Sequence, residues 1–217
     1  MTLDELSTTF DLLYNNISSN QAPVLTEYEK SVFLTQAQEA VILDLYKGVT
    51  GDSFETTEEV TRYLSSLVKP YTKLQLTSQT GILNKKETKI DLPTDLMFIT
   101  YQSANTNGKD VIVTPVNQDS LFNILNNPFK GPNNNRVISI SEEGKVILYS
   151  NSDITKYYAK YLSKPYPIIL VNLTDERFEG FTINGEVEPK QLDWLPESLH
   201  NQILVRAVQI AKSVWAS

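Results

Sequence analysis

The sequence predicts an α+β fold in which helices from the two ends of the chain form one bundle and a β-rich segment is inserted between them. Three observations predict it. Apolar residues recur every three or four positions near both termini, the pattern turns to alternation after about residue 71, and two Xaa-Gly dipeptides each separate a pair of β-forming runs. The expected helical bundle domain covers 1–70 and 190–217, and the expected β-rich insertion domain covers 71–189. A chain of 217 residues with 41% hydrophobic and 21% charged residues has the composition of a folded protein able to bury its own core.

In the first helix, Thr2 to Ile17, Thr2 and Glu5 fit a capping box and Leu3, Leu6, Phe10, Leu13 and Ile17 form one apolar face. A loop rich in Ser, Asn, Gln and Pro follows, and a second capping box, Thr26 with Glu29, opens a long helix to Gly48. Tyr28, Val32, Phe33, Ala37, Val41 and Leu45 make a broad stripe on it, with Glu29, Lys30, Gln36, Gln38 and Glu39 mostly on the other side. Thr56 with Glu59 starts a third helix that Pro70 cannot continue.

Alternation at Lys73 to Thr77 and Thr88 to Leu92, and the β-forming run Leu96 to Tyr101, then read as strands. Asn107-Gly108 is expected to join Phe98–Tyr101 to Val111–Val113, and Glu143-Gly144 to join Val137–Ile140 to Val146–Tyr149. Asn117 is placed to cap a short helix that stops before Pro128. The Asn126 to Asn135 loop is full of turn formers and carries Phe129, which either tucks into a core or reaches a partner. Ile154 to Leu162 fits either period; its tyrosines favour a strand. Pro196 opens the last helix, where Leu199, Ile203, Ala207, Ile210 and Val214 make one face and Leu204, Val208, Ala211 and Trp215 widen it.

The search for chemistry is mostly negative. There is no cysteine and a single histidine, His200, so disulfides, thiolate metal sites and cysteine nucleophiles are excluded. No G-x-S-x-G elbow, P-loop or G-x-G-x-x-G occurs, and no catalytic, cofactor or metal residue is assigned. A carboxylate metal site of Asp175, Glu176 and Glu179, or of Glu186 and Glu188, with a hydrolase using Asp175 and Glu179, is the alternative, set against a solvated acidic loop. The net charge of −7 disfavours tight nucleic-acid binding, although Lys156, Lys160 and Lys164 interleave with Tyr157, Tyr158 and Tyr161 in a way that can stack single strands. The longest apolar run, Ile168 to Val171, is too short to cross a bilayer, and the start of the chain does not read as an export signal, so no membrane association is expected.

What remains is a binding or assembly protein. Four blocks, Tyr28 to Glu39, Asn127-Pro128-Phe129-Lys130, Lys160 to Leu170, and Leu195 to His200 with the helix behind it, resemble virion proteins of crAss-like, short-tailed bacteriophages. Within that group the chain looks like a head-to-tail connector ring protein, and its layout is similar to the tail adaptor of short-tailed phages. The resemblance implies a homo-oligomeric ring of twelve copies, docked on the portal protein and on other tail ring or nozzle proteins, with genomic DNA passing through the channel without specific binding. It implies a protein of the virion, assembled in the cytoplasm of the bacterial host, with no enzymatic activity and no cofactor. An outer tail or assembly role away from the portal axis is the alternative. A ring subunit presents different patches to its two neighbours; Tyr28, Phe33, Phe129, Leu199, Leu204 and Trp215 are the candidate interface residues, unless both long helices are simply central in their own bundle.

Overall fold

The structure is a computed structural model that describes residues 1–17, 24–47 and 58–215, the side chains of Asn16, Ile17 and Trp215 excepted. The chain divides into two compact units, one of Met1–Ser66 with Pro165–Ser217 and one of Leu67–Lys164. The segment 165–189, which the sequence grouped with the insertion, therefore packs in the helical unit.

The helical unit contains α1 (Leu3–Ile17), α2 (Glu27–Lys47), α3 (Glu58–Leu67, whose last residue begins the other unit) and α5 (Glu197–Trp215). Both expected capping boxes at α1 and α2 form. Thr2 N–H donates to Glu5 (2.9 Å) and Glu5 N–H to the Thr2 hydroxyl (3.2 Å), and Thr26 and Glu29 do the same at 2.7 and 3.3 Å. Thr56, the expected cap of α3, lies outside the described residues, as do Gly48 and the loop at 18–23. Leu6, Phe10, Leu34, Ala37, Leu199, Ile203, Leu204 and Ala207 make one apolar core.

Two residues that periodicity placed on the outer side of α2, Lys30 and Gln38, are buried. Lys30 reaches Asp11 (2.6 Å) and Glu27 (2.9 Å), tying α1 to α2. Burial works to lower the Lys30 pKa, but the bonds and charges of Asp11 and Glu27 prevail and hold it raised. Ser31 and Thr35 are buried as well, because α2 binds an extended segment with its hydroxyls. Leu170 N–H donates to Ser31 Oγ (2.9 Å), Ile168 N–H donates to Thr35 Oγ1 (3.1 Å), and Thr35 returns a bond to the Ile168 carbonyl (3.3 Å). Four residues of helix rise about 6 Å and two of strand about 6.6 Å, so the i, i+4 hydroxyls match alternate backbone amides. Behind this seam Ile169, Leu173 and Ile183 form a small cluster with Tyr28 and Val32.

The sheet unit holds eight strands in the order β1-β8-β4-β5-β6-β7-β3-β2. They are β1 (Val68–Leu74), β2 (Gln79–Thr80), β3 (Lys86–Asp91), β4 (Leu96–Thr106), β5 (Lys109–Pro115), β6 (Arg136–Glu142), β7 (Lys145–Ser150) and β8 (Ile154–Ser163). Every pairing is antiparallel except β5 with β6. That parallel pair needs a crossover, which α4 (Gln118–Leu125) supplies. Asn117 stands at its N-cap but makes no side-chain bond there.

Both Xaa-Gly hairpins form, with Asn107, Gly108, Glu143 and Gly144 all at positive φ. The first pairing differs from expectation: β5 meets Ser103 to Thr106, while Phe98 to Tyr101 pair with β8. The first strand also differs, starting at Val68 and running through Pro70 instead of beginning at Lys73. Pro70 is tolerated because β1 is an edge strand, where proline is admitted. Three register shifts between β4 and β8 curl the sheet around Ile90, Val113, Val137, Leu148, Ile154 and Tyr157. The two edges are stitched by side chains, since Tyr71 on β1 donates to the Asp91 carbonyl of β3 (2.7 Å) and Ser78 bridges Thr88 (2.9 Å) and Ile154 N–H (3.0 Å).

Candidate assembly surfaces

The six candidate interface residues separate sharply by burial. Leu199 and Leu204 are each 1% exposed within the core of their own unit, so neither offers its side chain to a neighbour. The width of the α5 stripe reflects contact with α1 and α2 on two sides. Phe33 is half-buried against the same core. Tyr28 is half-buried too and meets Phe181 edge to face at 4.8 Å between ring centroids, pinning the 165–189 segment to α2. Trp215 closes α5, and its side chain lies outside the described residues.

Phe129 is 86% exposed. It is exposed on a braced loop: Asn127 Oδ1 accepts from Phe129 N–H (2.8 Å) and Lys130 N–H (3.0 Å), and Gly131 N–H closes onto the Asn127 carbonyl (2.8 Å). Arg136 donates to the carbonyls of Phe129 and Lys130 at 3.5 and 3.3 Å. The ring is thus presented with little further ordering to lose on contact, the property that makes an aromatic an effective anchor.

Periodicity did not single out a second surface, the outer face of β1, β8, β4 and β5. Strand alternation places Lys156, Tyr158 and Lys160 outward while Tyr157, Ala159 and Tyr161 point inward; Ile154, beyond a register shift, is buried too. Two of the three interleaved tyrosines are therefore unavailable for stacking bases. Register puts Tyr101 beside Lys160 and lines Ile112, Ser103, Tyr158 and Thr72 across four strands. Leu74, Tyr101 and Ile112 are 50–60% exposed there, and Tyr101 packs on Tyr158 at 6.1 Å. Tyr101 and Tyr158 were legible as β-formers; which side of the sheet they would share was not.

Of the residues considered for chemistry, Asp175, Glu176 and Glu179 are exposed, and the others have partners. His200 is buried, with Nε2 at 3.2 Å from the Leu195 carbonyl, and burial first, then the amino-terminal charge, lowers its pKa. Glu186 and the Glu188 carbonyl accept from the Tyr166 hydroxyl at 3.3 and 3.1 Å. Among the described residues no three His, Cys, Asp or Glu side chains converge as metal ligands, and no helix is long and apolar enough to cross a membrane.

Charge is divided between the units. Residues 67–164 carry 12 Lys and Arg against 8 Asp and Glu, a net +4, while the rest of the chain carries 7 against 18, a net −11. Overall net charge conceals this polarity.

A rigidly presented aromatic, an open sheet face and two oppositely charged units are attributes of a structural, assembly-type protein. The chain belongs to the phage tail ring protein 3/4 family, whose family model matches residues 1–216. It is 40% identical to Ring protein 3 of Bacteroides phage crAss001, with 97% of this chain and 95% of the relative covered. It is 34% identical to Ring protein 4/5 of the same phage, covering 99% of this chain and 94% of that relative. The chain is a structural ring protein of a crAss-like phage, a component of the virion.

Proposed function

We propose that the chain builds one ring of the head-to-tail connector, a closed assembly of twelve copies that docks below the portal and offers its other face to further ring or nozzle proteins. The observation that carries this reading is the end-to-end relation to two different ring proteins of one phage, which spans the helical and sheet units alike. Two homologous rings in one particle fit a stack in which similar subunits repeat along an axis. Genomic DNA passes through the channel without specific binding, and the net charge of −7 supports a conduit that does not hold phosphate. Subunits assemble in the host cytoplasm, and the role is mechanical, with no turnover and no cofactor.

The test is a symmetry-averaged image of the purified particle at side-chain detail. Twelve copies on the portal axis, adjoining the portal or a ring bound to it, are expected. Copies located away from that axis would move the chain to an outer tail role. Mixing the purified chain with its portal and measuring the mass of the complex tests docking separately.

A further inference from the structure

We propose that neighbouring copies join through unlike units, the basic outer face of β8, β4 and β1 on one copy resting on the acidic helical unit of the next. The inference deepens the ring reading and rests on it. A closed ring uses heterologous contacts, with a different patch on each side of the subunit. Copies set side by side with like units touching would oppose −11 to −11 and +4 to +4, whereas unlike units attract.

The sheet face has the composition of such a contact. Tyr101, Tyr158, Ile112 and Leu74 supply the apolar centre, Lys156 and Lys160 flank it from one strand, and the carboxylate beside them, Asp110, accepts from Asn105 at 2.8 Å. Among the described residues neither lysine has an ion-pair partner, a state they share with Lys73, Lys85, Lys109, Lys130, Arg136 and Lys164 of the same unit, so both are available to a carboxylate from outside. On the helical side, carboxylates outnumber cations more than two to one, and the groove formed by α3 and the turn before α5 places Glu59 and Asp193 beside Tyr63 and Trp194, with Arg62 also on its wall but paired to Glu58 at 3.1 Å. Aromatic walls with acidic rims suit a face made of tyrosines and lysines.

Purified particles treated with a zero-length carbodiimide, which condenses a lysine amine and a carboxylate to an amide, give the test. Peptides are read from the denatured dimer band of this chain and compared with the monomer band. Dimer-specific links from Lys156 or Lys160 to carboxylates in 1–66 or 165–217 are expected. Dimer-specific links that join sheet unit to sheet unit, or helical unit to helical unit, overturn the inference and leave the ring reading intact. A particle image with no ring of this chain removes the ring reading itself.

A second arm uses K156E/K160E against K85E/K109E, which changes net charge equally elsewhere on the sheet unit and breaks no ion pair among the described residues. The first variant, folded as judged by its melting curve, is expected to enter particles about tenfold less well or worse, and the second to enter normally. Equal loss in both reduces the effect to bulk charge and overturns the inference. So does normal entry of K156E/K160E, including the case where its rings assemble but retain DNA poorly, which would assign the face to nucleic acid.

Discussion

Replacing Thr35 by Val removes one hydroxyl from the seam that binds residues 168–170 to α2, and the structure sets what that costs. Thr35 is 4% exposed and Ile168 1%, and the hydroxyl serves both the Ile168 N–H at 3.1 Å and its carbonyl at 3.3 Å. Valine keeps the shape, so no cavity opens, but two backbone groups lose their partner where water does not reach. An unsatisfied buried group costs about 1–3 kcal/mol, and the longer bond contributes the smaller share, giving about 2–3 kcal/mol for the variant. Thr35→Ser retains the hydroxyl and loses one methyl, about 1 kcal/mol. The assay is urea unfolding followed by tryptophan fluorescence. Both tryptophans, Trp194 and Trp215, belong to the helical unit, so the signal reports that unit alone. With a slope of about 1–3 kcal/mol/M, Thr35→Val lowers the midpoint by about 0.7–3 M. A Thr35→Val midpoint equal to wild type, or a Thr35→Ser loss as large as that of Thr35→Val, would refute the hydrogen-bonding account of the seam.

Three further outcomes are expected. His200 is held below its ordinary pKa of 6.5, so the unfolded chain takes up the proton first: stability is full above about pH 6.5 and declines as pH falls toward the folded value, and His200→Gln flattens the decline in urea midpoints between about pH 7.5 and 5.5. A wild-type slope in that variant would rule His200 out as its source. Gly144→Ala costs about 1 kcal/mol in sheet-unit stability measured by circular dichroism, because an added Cβ touches nothing while φ is +76°. Phe129→Ala leaves stability within about 0.5 kcal/mol, since the ring is 86% exposed, yet reduces entry of the chain into particles; undiminished entry counts against Phe129 as an interface anchor.

The parts of this fold that were legible in the sequence are those settled within four residues of chain. Thr2 with Glu5, Thr26 with Glu29, Asn107-Gly108 and Glu143-Gly144 each close a cap or a turn using their own neighbours, and each forms where the pattern put it. The strand at Ile154 to Ser163 was only favoured by its tyrosines, because that run fits the helical period as well. Periodicity also located the apolar face of α5, but on α2 only Ala37 of the expected stripe is fully buried, while Ser31, Leu34, Thr35, Gln38 and Ile42 face inward; and where it succeeds it reports only that a face is covered. It does not distinguish a subunit's own core from a neighbour, which is why Leu199 and Leu204 stood among the interface candidates.

Family membership was carried by residue blocks spread along the chain and needed no coordinates. Only the tertiary structure decided which surfaces remain for assembly. Residues 168–170 lie more than a hundred positions from Ser31 and Thr35, and their attachment depends on a match of helix and strand rise that no local pattern encodes. The sheet order, with β8 between β1 and β4, brought Tyr101, Tyr158 and Lys160 onto one outer face and sent Tyr157 and Tyr161 inside. Charge polarity emerged the same way, because a net −7 spread along the chain becomes +4 and −11 only when folding assigns residues 165–217 to the helical unit. Local chemistry determines which elements form; long-range packing determines which of their side chains are left to meet another copy.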